Sequence, residues 1–258
     1  MVVGLDIFRA YFGDFPDQYV IIGGTACDII LSEEGLTART TDDIDLILIV
    51  EALSPEFVKQ FWKFIQEGGY ERREKSPDER HYYRFIKPAN EEFPKQIELF
   101  SREPDMIDLP DGAHLTPIPI DDPISNLSAI ILNEDYYTYL LEHTFAENGL
   151  QIATINALIA LKAKAFLNLT ESKEKGETID SRNISKHKGD VFRLAALLTE
   201  EDAFDLPAPL KADLQEFIDT INDDLPGKGI FKALGAPQLD PKAVLDQLIT
   251  SFKLNEEG

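Results

Sequence analysis

The chain has 258 residues, 43% of them hydrophobic, and carries 47 acidic against 25 basic side chains for a net charge of −22. That is enough apolar material for a sizeable core in one large domain or two modest ones, while the charge argues against an anionic membrane or an extended nucleic-acid partner. The single Cys27 excludes an internal disulfide and a multi-cysteine zinc site, and no apolar run approaches the roughly 20 residues of a bilayer span, so a cytoplasmic protein is expected.

MVVGLDIFRAYFGDFPDQ, residues 1–18, has too short an apolar core and acidic flanks for a signal peptide. QYVIIGG (18–24) is a short β-branched run stopped by two glycines, and TACDIILSEEG behind it spaces Ala26, Ile29 and Ile30 along one helical face. DIDLILIV then predicts a strand buried on both faces. Ser54 and Pro55 are an N-cap and first-turn pair for a helix through about Gly68, with Phe57, Phe61, Phe64 and Ile65 facing inward.

RHYYRFIK (80–87) and KQIELFS (95–101), parted by a Pro/Asn/Glu region, predict an antiparallel pair. LSAIILNEDYYTYLLEHTF reads as a further hairpin turning at Asn133 to Asp135. From Thr154 onward the pattern is helical, in TINALIALKAKAFLNL, KGDVFRLAALL and LKADLQEFIDTI. TESKEKGETIDSRN reads as a surface loop between helices, and KLNEEG as a fraying tail. The expectation is an α/β (α+β) fold, with a mixed sheet and flanking helices over residues 1–153 and a helical domain over 154–258.

The chemistry concentrates at three points. Residues i and i+2 of a strand point the same way, so Asp43 and Asp45 project together while Ile44 and Leu46 enter the core. A third carboxylate, Glu98, lies on a later strand. Converging carboxylates form an oxygen-rich site suited to Mg²⁺, which retains waters and takes substrate phosphates as further ligands. The Gly23-Gly24-Thr25 turn complements them: glycines allow an anion close to backbone N–H groups, a helix N-terminus adds a favourable dipole, and the Thr25 hydroxyl is a phosphate donor.

IIGGT, DDIDLIL and QIELF, in that order, resemble the DNA polymerase β superfamily of nucleotidyltransferases, whose signature is a Gly-Gly or Gly-Ser turn, an Asp-x-Asp strand and a third acidic strand residue. RTTDDIDL resembles the Arg-x-Thr-x-Asp-x-Asp version found in abortive-infection and toxin-type nucleotidyltransferases. ALIALKAKAF and SKHKGDVFRL are similar to that family's lysine-bearing helix and basic-Asp-Leu element. The resemblance spans about residues 18 to 198. It departs in the 18 residues from Thr25 to Asp42, in Glu98 where Asp is commoner, and in His187 where an acid is frequent.

The resemblance implies transfer of a nucleoside monophosphate from an NTP with release of pyrophosphate, using Mg²⁺ or Mn²⁺. Asp43 and Asp45 would hold the nucleotide's metal, Glu98 with them a second ion, and Gly23, Gly24, Thr25, Arg39 and Lys162 would contact the nucleotide. Lys164 lies on a different helical face from Lys162, so only one of the two serves. The acceptor is left open between tRNA, a protein and a small molecule, and a cognate antitoxin is a further expected partner. An alternative is a catalytically silent module of the same fold that acts through a partner protein, in line with Glu98 and the long loop.

Simpler roles stand beside these. Asp42 should point to solvent, opposite Asp43, as a cap or supporting partner. Arg39 either pairs with one of the strand carboxylates or contacts phosphate, and Lys162 either faces the cleft or a solvated surface. Asp190 with Lys186 forms a helix-end ion pair joining the two domains. Tyr82 and Tyr83 are sheet residues before they are a base-stacking platform, and His81, His114, His143 and His187 lack metal-ligand spacing. The basic residues of ERREK, with Arg80, Arg84 and Lys87, either rim an acceptor site or are solvated.

Overall fold

The computed structural model describes residues 2–72, 82–100, 130–131 and 133–254. In chain order the elements are α1 (Leu5–Phe12), β1 (Tyr19–Ile22), α2 (Gly23–Glu33), β2 (Asp43–Leu48), α3 (Pro55–Gly68), β3 (Glu71–Arg72), β4 (Tyr82–Ile86) and β5 (Gln96–Phe100). They continue with α4 (Glu134–Glu142), β6 (Thr144–Glu147), β7 (Leu150–Ala153), α5 (Ile155–Glu174), α6 (Ser181–Ala195), α7 (Ala208–Ile221), α8 (Gly229–Leu234) and α9 (Pro241–Ser251). The α/β class with a mixed sheet, as expected, is the observed architecture.

The strands form one sheet of seven in the order β3-β4-β5-β2-β1-β7-β6. β2 lies at its centre, antiparallel to β1 and parallel to β5. Residues 44–48 of β2 are buried, which is why the segment reads as an unbroken apolar run. β4 and β5 form the expected antiparallel pair. β7 runs parallel to β1 and so delivers α5 to the same end of the sheet where α2 begins.

One sheet face is covered by α1 and α3. Phe8, Phe12, Tyr19, Phe57, Phe61 and Phe64 meet there in tilted, edge-to-face and stacked pairs with centroids 4.5 to 6.4 Å apart. Burying each such ring contributes about 1.5–3 kcal/mol, so this cluster anchors both helices. The local signals of α3 agree with its placement: the Ser54 hydroxyl accepts from the Phe57 N–H, Pro55 opens the helix, and Gly69 closes it in the left-handed conformation. On the opposite face α2 packs on β1 and β2, and α5 and α6 pack on α2 and on each other. α7 lies against α5 and α9 against α6. The chain passes from sheet to helices at Ala153–Thr154, and the buried apolar residues form one cluster on both sides of that point.

Several expectations need correction. The hairpin predicted at Asn133 to Asp135 is instead the start of α4. Asn133 is its N-cap, accepting from the Asp135 and Tyr136 N–H groups, and Glu134 and Asp135 favour the first turn of a helix through its dipole. The loop read over TESKEKGETIDSRN is shorter: α5 runs to Glu174 and α6 begins at Ser181, capped by Asp180. α1 and the β6–β7 hairpin add to the expected elements. The hairpin turns on Asn148 and Gly149, both at positive φ, the Asn-Gly pairing of a tight two-residue turn. Among the described residues no helix is long and apolar enough to cross a membrane. His81, His114, Arg80, most of ERREK, the segment from Leu127 to Ala129, the tail beyond Leu254 and the side chains of Tyr82 and Tyr83 lie outside the described set.

Candidate metal and phosphate site

Strand register brings the acids together. Asp45 is the cross-strand neighbour of Ile22 at the end of β1 and, in the parallel pair, of Glu98 on β5. Asp43, Asp45 and Glu98 thereby share one face, and each offers a carboxylate oxygen within 4.8 Å of the others. Asp45 and Glu98 are buried, whereas Asp43 is half-buried. Asp42 turns the other way, as expected, to an exposed ion pair with Lys95 at 2.8 Å.

The glycine corner abuts these acids. Gly23 has φ +70°, and a Cβ there would lie 1.7 Å from Asp45 Oδ2; a Cβ on Gly24 would lie 2.6 Å from Thr41 Oγ1 and 3.0 Å from Arg39 Nη2. Side chains are therefore excluded from the corner by the carboxylate on one side and by the loop before β2 on the other. α2 begins here without any side-chain N-cap hydrogen bond, which leaves its first-turn donors for an anion. Thr25 does not add to them. It is fully buried, and its hydroxyl donates to the Asp43 carbonyl at 2.5 Å, fastening α2 to β2.

Electrostatics divide the three acids. Burial would raise the Asp43 carboxyl, but the Thr41 hydroxyl, the Lys186 ammonium and the Asp42 N–H hold it below its usual range. Burial and then the Asp43 charge push Asp45 up. Burial and the Asp45 charge push Glu98 well up, and Arg84, donating to it at 2.9 Å, offsets only part of this. Gln96 also donates to Glu98. Two neighbouring carboxyls that resist joint ionisation will either share a proton or take up a cation. Three hard oxygen donors with this mutual repulsion fit a divalent ion such as Mg²⁺ or Mn²⁺.

A pocket of about 340 Å³ opens onto the acids, lined by the glycine corner, Arg39, Arg84 and Gln96 on the sheet side, by Leu158, Leu161, Lys162 and Ala165 of α5, and by Asn183, Lys186 and His187 of α6. Its size falls in the range of small-ligand sites. Behind it sits Asp190, 2% exposed, which accepts from Arg39 Nε at 3.1 Å, Lys162 Nζ at 3.0 Å and Arg193 Nη1 at 3.0 Å. Burial alone would raise the Asp190 carboxyl; the charges of Lys162 and Arg39 hold it well below the usual carboxylate range.

Two sequence expectations change here and a third is narrowed. Arg39 pairs with Asp190 rather than with a strand carboxylate. Asp190 pairs with Arg39, Lys162 and Arg193 rather than with Lys186, whose place one turn N-terminal to an acid is the weaker orientation for a helical ion pair. Of the two lysines on α5, Lys162 lines the pocket, and Lys164 points to Asp213 on α7. His187 is held neutral, its pKa pushed down to about 3 by burial and by the Lys162 charge. Its Nδ1 has no hydrogen-bond partner among the described residues. Sequence reasoning missed Gln96 and Asn183 as pocket residues, and of the two roles open to Arg84, rimming a site or facing solvent, the structure places it on the pocket. Arg84 had a legible signal, since it sits directly opposite Glu98 in the β4–β5 pair. No protein-family model matches the chain, and no curated protein is significantly similar to it.

Proposed function

We propose that the protein is a divalent-cation-dependent nucleotidyltransferase, passing a nucleoside monophosphate from an NTP to an acceptor hydroxyl and releasing pyrophosphate. One observation carries the reading: Asp43, Asp45 and Glu98 converge within 4.8 Å in a pocket that is also lined by the two glycines opening α2, a helix start without a side-chain cap. Carboxylates alone fit a structural cation, and an uncapped helix alone fits a stray anion; side by side, they fit a metal-chelated phosphate. The resemblance of IIGGT, DDIDLIL and QIELF to the DNA polymerase β superfamily points the same way.

In this reading Asp43, ionised at neutral pH, holds the ion together with Asp45, and Glu98 completes the set. A bound Mg²⁺ or Mn²⁺ would neutralise phosphate charge and polarise the phosphorus under attack. The first-turn N–H groups of α2 orient the phosphates. Glu98, with its raised pKa, is the carboxylate suited to take the proton of the acceptor hydroxyl. The net charge of −22 favours an acceptor that reaches the pocket by a single group over one bound along an extended polyanionic surface.

Isothermal titration of Mg-ATP, Mg-GTP, Mg-CTP and Mg-UTP into the wild type and Asp43→Asn tests the site: binding of at least one nucleotide, lost in the variant, is expected, and equal behaviour of the two proteins would remove it. The silent-module alternative draws on Glu98 being already engaged by Arg84 and Gln96. Incubation with α-labelled NTPs and with tRNA, protein or small-molecule acceptors separates the two, because label transfer that Asp43→Asn abolishes excludes a silent module.

A further inference from the structure

The pocket holds more than one lysine, and they are not equivalent. Lys162 is buried and its ammonium is spent on Asp190, 3.0 Å away. The Arg39 Nε and the Arg193 Nη1 converge on the same carboxylate. Lys186 differs. It lines the pocket with Gly23, Gly24, Asp43 and Asp45, and it has no ion pair or hydrogen bond among the described residues. Its charge acts on the Asp43 and Asp45 carboxyls, pulling both downward.

Building on the nucleotidyltransferase reading, we propose that Lys186 of α6, not Lys162, is the side chain that grips the triphosphate, and that Asp190 positions the other cations around it. A buried ammonium needs a counter-charge. Lys162, Arg39 and Arg193 have one in Asp190, a single negative charge shared by three positive ones. Lys186 lacks a committed partner and borders both the acids and the uncapped start of α2, so an entering polyphosphate supplies what the ammonium is missing. Burial and the nearby Arg39 and Lys162 charges hold the Lys186 ammonium below its usual pKa, the Asp43 and Asp45 charges offsetting only part of this, and an anion in the pocket relieves what is left. The opposite wall, Leu158, Leu161 and Ala165 of α5, is apolar and suits a base. Asn183 of α6, an amide with no hydrogen bond from its side chain among the described residues, lines the same pocket. The nucleotide therefore lies with phosphates toward α2 and Lys186 and base toward α5.

The probe that isolates the lysine is inorganic triphosphate, which has no base, compared with inorganic phosphate in the presence of Mg²⁺. Titrations would use the wild type, Lys186→Met, Lys186→Arg and Lys162→Met, each checked for its fold by circular dichroism. Loss of a charge-assisted contact predicts about a 10- to 100-fold weaker triphosphate affinity for Lys186→Met, little change for inorganic phosphate, and recovery in Lys186→Arg. Unchanged preference for triphosphate in Lys186→Met, or its loss in a folded Lys162→Met instead, overturns the proposal and leaves the nucleotidyltransferase reading standing. If the wild type binds neither triphosphate nor any of the four NTPs, both fall.

Discussion

Replacing Asp45 by Asn should make the protein more stable and blind to metal. Unit charges 4.8 Å apart, the outer limit for the three carboxylates, repel by roughly 3.5 kcal/mol in an effective dielectric of about 20. A proton shared with Glu98 and the Arg84 guanidinium offset part of this. A gain of about 1–3 kcal/mol is therefore expected at pH 8, or roughly 2–10 °C in Tm for a chain of this length. The pH dependence has a definite sign. Asp45 and Glu98 have folded pKa values above their unfolded ones, so the wild type loses stability as pH rises above about 4, where unfolded carboxyls ionise. The variant should lose less, and the gap between the two should shrink toward pH 4. A cation at 100 times its Kd stabilises the wild type by about 2.7 kcal/mol and should do little for Asp45→Asn. Urea unfolding followed by circular dichroism at pH 5 and pH 8, in EDTA and in Mg²⁺ or Mn²⁺, measures all of these. A variant less stable than wild type in EDTA at pH 8, or equal stabilisation of both proteins by metal, would refute the account.

Asp190→Asn should behave in the opposite way. It leaves Lys162, Arg39 and Arg193 without their counter-charge in a buried place, a loss of about 3–5 kcal/mol visible as a lower urea midpoint at pH 7. Because the Asp190 carboxyl is held below its ordinary pKa, its contribution is present above about pH 4 and fades as pH falls further, so wild type and variant should converge in acid. Gly23→Ala should cost about 1–3 kcal/mol in urea unfolding through its positive φ and the close approach of Asp45 Oδ2. It should also abolish the thermal shift with Mn²⁺, whereas Gly35→Ala, equally left-handed but with open space around its Cβ position, should cost backbone strain and leave the metal response intact.

Much of the site was legible because it rests on strand periodicity. Asp43 and Asp45 share a face by the two-residue repeat, and the apolar flanks of Glu98 marked its strand, so their convergence needed only that the two strands be neighbours. The glycine corner was legible because no other residue suits a left-handed position pressed against a carboxylate. The arrangement behind the pocket was not. Asp190 is reached by Arg39 and Lys162 from far away in the chain, and of its helical neighbours it takes Arg193, three residues on, rather than Lys186, four residues back. Asn133 misled for a related reason: Asn both begins turns and caps helices, and the choice fell to the buried Tyr136, Tyr137 and Leu140, a helical spacing that the tyrosine-rich run disguised as alternation. The Asn148–Gly149 pair is itself a hairpin signal, but the strands on either side are only four residues long, too short for alternation to mark them.

The acids stand on two inner strands, β2 and β5, flanked by β1 and β4, and among the described residues the margins of the sheet are β3 and β6. Among the described residues, the marginal strands, where sheets join edge to edge, thus lie at least two strands from Glu98 and three from Asp43 and Asp45. Chemistry and assembly are spatially uncoupled on this scaffold: a companion chain could extend the sheet at either margin without disturbing the spacing of Asp43, Asp45 and Glu98, and a change in the acids would leave such a seam untouched.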